Sequence, residues 1–251
     1  MTQRPKIIFL RIDDDLSIKA FEELLKICEE HQIVLQKDDD AKLIFKNGML
    51  HLIEDDSGFS LDWALELKEH LKRKYAISKE PLCKALGIKG SSERIVCDCS
   101  LGTGKDAMLI LSFGARIIGY ERNPLVFILA LDALRRALND EQLKVYFNKI
   151  SLHFGEASKE LDELSRVETF YFDPMYPMKK KSSLPRKEMQ VFKKVIGADE
   201  DFTDQLLALC KSGKKVVLKR PIKSEVILKP SASFPGKTTR YDLYFTPLSY
   251  R

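Results

Sequence analysis

Two short stretches of this 251-residue chain hold residue types that can do chemistry together. The first runs Asp98-Cys-Ser-Leu-Gly102-Thr-Gly104-Lys105-Asp106-Ala107. An apolar strand ends at Asp98, two glycines turn the chain, and a helix opens at once. Glycine is needed where a backbone turns sharply and comes close to a ligand. The helix start offers free N–H groups and positive potential. Gly102-x-Gly104-x-x-Ala107 also matches the dinucleotide fingerprint, with Glu121 as the acidic residue closing the next strand. A nucleotide or nucleoside site is expected; the plain alternative is a strand-to-helix turn with no ligand.

The carboxylates select among ligands. Asp98 stands just before the turn and Asp106 just after it, and neither helps a pyrophosphate. Both suit a cation carrying amino groups, and Glu121 suits ribose hydroxyls. S-adenosylmethionine is therefore expected over NAD, with S-adenosylhomocysteine as its product. The second stretch, Asp173-Pro174-Met175-Tyr176-Pro177, ends the predicted strand Thr169–Phe172. It offers a carboxylate, a backbone held by two prolines and an aromatic ring. That set suits a planar base with an exocyclic amine: Asp173 accepts from the amine, the Pro174 carbonyl can do the same, and Tyr176 stacks on the ring for roughly 1–3 kcal/mol. The plain alternative is a proline-capped strand end.

The elements that must position these residues follow from periodicity. Lys6–Ile12 reads as a strand and Ser17–His31 as a helix. Lys42–Lys46 and Met49–Ile53 flank the hairpin signal Asn47-Gly48. Residues 1–60 are thus expected to form a small acidic β-α-β-β unit, and residues 61–251 the main domain. Helical spacing recurs at Trp63–Tyr75 and Pro81–Leu86. From Arg94 onward strands (Arg94–Cys99, Arg116–Tyr120, Ser151–Phe154, Thr169–Phe172, Lys215–Lys219) alternate with helices (Asp106–Phe113, Pro124–Asn139, Ala157–Leu164, Lys187–Ile196, Asp201–Lys211). Arg240–Phe245 alternates like a further strand. Alternation of this kind means an α/β fold, a mostly parallel sheet with helices on both faces. Ligands then bind at the carboxyl edge of the strands.

Charge is uneven. The net +5 splits into −7 over residues 1–70, +3 over 71–172 and +9 over 173–240. A basic final third points to a polyanion touching that third. Lys179, Lys180, Lys181, Arg186, Lys219 and Arg220 are the expected phosphate contacts. No apolar run approaches the roughly 18 residues of a membrane span, and the N-terminus does not read as a signal peptide. Five cysteines without a Cys-x-x-Cys read as buried thiols of a cytoplasmic protein, with Cys97 and Cys99 on one strand face. The four histidines are too scattered for a metal site, and no metal is expected.

These residues resemble a known family. The Asp98/Gly102/Gly104/Asp106 turn with Asp173-Pro-Met-Tyr-Pro177 is similar to class I S-adenosylmethionine-dependent methyltransferases, whose amino-methylating members carry Asp/Asn-Pro-Pro-aromatic. A closer likeness is to the ribosomal RNA small subunit methyltransferase J family. It is carried by Leu86-Gly-Ile-Lys-Gly90, Gly119-Tyr-Glu-Arg-Asn-Pro124, Phe172-Asp-Pro-Met-Tyr-Pro177, Lys187-Glu-Met-Gln-Val-Phe192, Val216-Val-Leu-Lys-Arg-Pro221 and Arg240-Tyr-Asp-Leu-Tyr244. It spans roughly residues 60–247. Met175 departs from the broader pattern and agrees with the narrower one.

The resemblance implies a Rossmann-like, seven-stranded methyltransferase domain with a small N-terminal α+β unit. It implies methylation of N2 of one guanosine in the 3′-terminal hairpin of 16S ribosomal RNA. Cofactor contacts are implied at Lys105, Asp106, Glu121, Arg122, Glu156, Ala157 and Asp173, with Glu156 standing where the family has a small hydroxyl residue. Three rival readings stay open: an adenine-N6 methyltransferase, which shares both motifs; an NAD-dependent oxidoreductase; and an RNA-binding protein with a vestigial fold. A monomer is expected.

Overall fold

Side-chain alternation along each strand, and what covers each face, decide this architecture. The computed structural model describes residues 6–13, 18–54, 57–73, 76, 79–89, 93–175 and 199–245. The N-terminal part comprises β1 (Lys6–Ile12), α1 (Ile18–Glu30), β2 (Ile33–Lys37), β3 (Leu43–Lys46), β4 (Met49–Glu54) and β5 (Ser57–Phe59). Its sheet order is β2-β1-β3-β4-β5, with β1 parallel to β2 and β3 and the rest antiparallel. The expected β-α-β-β pattern thus gains β2 and β5. Both are too short to announce themselves: β2 carries only the run Ile33-Val34-Leu35 after a tight turn at Gln32, and β5 has three residues. The hairpin turn is as expected, with positive φ at Asn47 (52°) and Gly48 (73°).

The second part comprises α2 (Trp63–Arg73), α3 (Pro81–Leu86), β6 (Ile95–Asp98), α4 (Lys105–Ser112), β7 (Arg116–Glu121), α5 (Pro124–Leu138), α6 (Lys144–Phe147) and β8 (Ile150–Phe154). It continues with a 3-10 turn (Ala157–Lys159), β9 (Thr169–Phe172), α7 (Phe202–Lys211), β10 (Lys215–Pro221), β11 (Ala232–Pro235) and β12 (Thr239–Tyr244). The seven-stranded sheet runs β11-β12-β10-β9-β6-β7-β8. Strands β6 to β10 are parallel; β12 is antiparallel to β10 and β11 to β12. The expected mostly parallel sheet is present.

One expectation changes. The stretch Ala157–Leu164 is not a helix; it is a string of i→i+3 turns closed by Lys159, Glu160, Glu163 and Leu164 amides. Leu161 and Leu164 offer one turn of apolar face, too little to select an α-helix. The expected helix Lys187–Ile196 lies outside the described residues. Cys97 and Cys99 are buried on one face as read, their Sγ atoms 3.9 Å apart. Among the described residues, no helix is long and apolar enough to cross a membrane.

Both faces of the large sheet are covered. Val96, Ile117, Leu152, Tyr171 and Val217 pack with α2, α4, α5 and the N-terminal sheet in one cluster. Cys97, Phe170, Phe172, Val216 and Leu218 pack with α7 in another. Asp132 of α5, fully buried, ties that helix to the N-terminal sheet: its Oδ2 accepts from the Leu50 amide at 3.0 Å and from Arg136 Nε at 2.9 Å, and its Oδ1 from Arg135 Nη2 at 2.8 Å. Arg135 also donates to the Gly48 carbonyl at 2.7 Å.

Candidate active site

Register places the chemistry on one edge. Asp98 pairs with Tyr171 and Gly119, and Leu218 with Phe172, so Asp98, Glu121, Asp173 and Lys219 all stand where parallel strands end. Beyond that edge lies a cavity of about 380 Å³ lined by, among others, Ser100, Gly102, Glu121, Glu156, Asp173 and Gln205.

The glycine turn behaves as the sequence implies. Gly102 and Gly104 take φ of 53° and 76°, a region that disfavours side chains. A Cβ on Gly104 would stand 2.6 Å from the Trp63 indole. Trp63 Nε1 donates to the Thr103 carbonyl at 2.9 Å, so α2 clamps the turn from behind. Glu121 Oε2 accepts from the Gly102 amide at 2.9 Å and Oε1 from the Asn123 amide at 2.7 Å. Glu121 lines the cavity. Burial raises the Glu121 carboxyl above its usual range, and the amides of Asn123 and Gly102 oppose this.

Asp98 lies beneath the turn, 2% exposed, and accepts from the Ser100 amide at 3.2 Å. Burial pushes its carboxyl up to about 8, and the nearby Asp106, Asp173 and Glu121 add to the push. Such a group contributes stability that is complete below about pH 4 and is lost as pH rises through about 8. Asp98→Asn, which keeps the acceptor oxygen, is expected to come closest to the parent's melting temperature near about pH 4 and to exceed it by a margin that grows up to about pH 8. A constant offset across that range in thermal melts would refute this account of Asp98.

The Asp-Pro-Met loop is held from both sides. The Asp173 amide donates to Ser100 Oγ at 2.7 Å. The Met175 amide donates to Asp199 Oδ2 at 2.6 Å, and the Met175 carbonyl accepts from the Asp199 amide at 2.9 Å. Asp199 is paired in turn with Arg122, which also binds both oxygens of Asp201 at 2.9 Å and lies 3.8 Å from Glu156. Arg122 therefore braces the loop while lining the cavity. Asp199→Ala is expected to cut turnover about 10–100-fold through misplacement of Asp173. Steady-state kinetics with an unchanged fold by circular dichroism would check it.

Asp173 shares a cation with Asp106. Lys219 Nζ sits 2.6 Å from Asp106 Oδ2 and 2.9 Å from Asp173 Oδ2, and the Tyr171 hydroxyl donates to the same Asp106 oxygen at 2.5 Å. Lys219 and Arg220, expected at RNA phosphates, are met by protein groups in this structure. On a strand covered on both faces, Lys219 shares parity with Val217 and turns toward α4, whereas Arg220 turns toward α7. Arg220 is 8% exposed, donates to Ser224 Oγ and the Glu225 carbonyl, and lies over the Phe202 ring. Arg220 is buried, and Lys219 is partly covered.

Of the other expected cofactor residues, Glu156 lines the cavity, Lys105 is exposed at the start of α4, and Ala157 is buried behind the cavity wall. Pro174 is buried beside Asp173. Tyr176, Lys179, Lys180, Lys181 and Arg186 lie outside the described residues. Trp63, Ser100, Asp199 and Gln205 were not anticipated. A lone tryptophan opening the helix before the glycine turn was the one available signal; Asp199 and Gln205 reach the site through chain folding that no motif marks.

The donor set fits S-adenosylmethionine: carboxylates without a phosphate cradle, a cavity acid able to take hydroxyls, and a turn where glycines let the backbone approach. Fold and site together define a class I S-adenosylmethionine-dependent methyltransferase. A family model described as "Putative SAM-dependent methyltransferase" matches residues 26–246. Curated relatives named ribosomal RNA small subunit methyltransferase J include those of Haemophilus influenzae, 35% identical over 237 residues (90% of this chain, 91% of the relative), and Shewanella piezotolerans, 35% identical over 236 residues (88% and 86%). The chain belongs to the ribosomal RNA small subunit methyltransferase J family. Its fold is shared with a SAM-dependent methyltransferase from Neisseria gonorrhoeae, with a TM-score of 0.73 and 24% identity, covering 97% of this chain and 98% of that one.

Proposed function

We propose that this enzyme methylates the exocyclic N2 of one guanosine in 16S ribosomal RNA; the names of its relatives support the small-subunit ribosomal RNA part of this reading. The observation that carries this reading is Asp173 at the carboxyl edge of the sheet, its backbone tied to Ser100 and Asp199 beside the cofactor cavity. When bound, S-adenosylmethionine supplies an electrophilic methyl on a sulfonium whose sulfur keeps the bonding electrons. Glu121 takes the ribose hydroxyls, and Gly102 and Gly104 let the backbone close on the ligand.

The guanine amine is a weak nucleophile because its lone pair is delocalised into the ring. Asp173 and the Pro174 carbonyl accept its N–H groups, hold N2 in an attacking geometry and favour a pyramidal nitrogen. Positive charge develops on that nitrogen, and the Asp173 carboxylate stabilises it and takes the proton. The base must leave its stack to reach this edge. Lys179, Lys180, Lys181 and Arg186, following the loop in sequence, are the proposed phosphate contacts. Such a substrate places the enzyme in the cytoplasm. The acidic N-terminal unit, docked through α5, lies apart from that role in this reading.

The test is tritiated S-adenosylmethionine with 30S subunits and with naked 16S RNA, followed by nucleoside analysis. N2-methylguanosine is expected in at least one; its absence from both, or N6-methyladenosine in its place, overturns the reading.

A further inference from the structure

Three carboxylates converge at the end of β6, α4 and β9, and the ammonium of Lys219 is shared between two of them. Asp106 and Asp173 stand close enough to disfavour ionisation of Asp98, and Asp106 close enough to disfavour that of Asp173. Lys219 reaches across from β10, three-quarters covered, and touches both Asp106 and Asp173. Tyr171 fixes the other side of Asp106. Nothing in the assignment of Asp173 as acceptor requires this lysine, yet among the described residues it is the cation in contact with that carboxylate.

We propose that Lys219 is a positioning residue for methyl transfer: by bridging Asp106 and Asp173 it keeps the Asp173 carboxylate ionised and aimed at the substrate amine. This rests on the reading of Asp173 given above. The backbone of Asp173 is already held by Ser100 and by Pro174, so what remains free is the side-chain torsion. Lys219 supplies the contact that sets it. As the nitrogen gains its methyl, an N–H bond breaks, its electron pair stays on nitrogen, and the proton passes to Asp173. A carboxyl that already holds a proton cannot accept it.

The surroundings favour that unproductive form. Burial raises the Asp173 carboxyl to about 6, and Lys219 is the largest opposing influence. Facing the pair are Asp98 from β6, Asp106 from α4, Tyr171 from β9, Tyr241 from β12 and Asp199 ahead of α7. Every one of these is acidic or neutral, and His70 of α2, which interacts with Asp106, is held below its usual range by burial. Burial alone would lower the Lys219 ammonium, but Asp173 and Asp106 outweigh it and hold the lysine charged. The cation is therefore present throughout the working pH range, and the titrating partner is Asp173.

The experiment compares Lys219→Met, Lys219→Arg and Asp173→Asn with the parent enzyme. It measures single-turnover methylation of 30S subunits from pH 5.5 to 9, S-adenosylmethionine affinity by calorimetry, and the melting temperature. Lys219→Met is expected to slow turnover at pH 7 at least about thirtyfold and move the acid limb of the pH–rate profile up by about one unit. The KM for RNA should stay within about threefold, since the lysine does not meet phosphate. Lys219→Arg should recover most of the rate and the parent's acid limb. A rate within threefold of the parent with an unmoved limb overturns the proposal. So does a loss uniform across pH that tracks unfolding and that arginine does not restore. Should Asp173→Asn stay active, the acceptor reading fails with it; should Asp173→Asn be dead while Lys219→Met is normal, only the lysine's role falls.

Discussion

Asp173→Ala is expected to reduce methyl transfer by at least about a thousandfold while leaving S-adenosylmethionine affinity within about tenfold. Two effects combine in the rate: loss of the group that orients and deprotonates the amine, and loss of the negative charge that meets the positive nitrogen as it forms. The other proposed cofactor anchors remain, because Glu121 is held by Gly102 and Asn123 without help from Asp173. Loss of interactions made only in the transition state lowers kcat without raising KM equally. Lys219 retains Asp106, so no unpaired buried charge is created and the fold should stand. Single-turnover rates and calorimetric titration check the two halves separately. Near-normal methylation of 30S subunits by this variant would remove Asp173 from the chemistry.

The largest expected loss of stability lies far from the site. Asp132→Ala is expected to destabilise the protein by about 3–5 kcal/mol, because it strips the partner from buried Arg135 and orphans the Leu50 amide. For a chain of this size that is roughly 10 °C in melting temperature. Asp132→Asn should recover part of it, since one oxygen can still accept from Leu50. A loss below about 1 kcal/mol in denaturant titration would mean that the buried network is not what joins the N-terminal sheet to α5.

Much of the site was legible because strand order and strand ends follow from short-range pattern. The apolar run 169–172 ending in Asp-Pro, and the run 95–98 ending before two glycines, put both acids on one edge once the sheet is parallel. Asn123-Pro124 opened α5 as read, with Asn123 Oδ1 accepting from the Leu125 and Val126 amides. What escaped depends on which face a charged residue takes. Lys219-Arg220 at a strand end reads as two exposed cations, but continuing the alternation from Val217 and Leu218 sends one to each covered face. Asp199 escaped for a different reason. Its partners are 24 and 77 residues away, Met175 and Arg122, and such pairing follows from tertiary reach rather than local sequence.

The clamp on the glycine turn has a practical corollary. Trp63 is the only tryptophan in the chain, and its indole both bonds to Thr103 and lies against Gly104. Its emission therefore comes from a single, buried chromophore touching the turn that meets the ligand. Intrinsic fluorescence becomes a label-free reporter of that turn, readable in the native protein without any engineered probe.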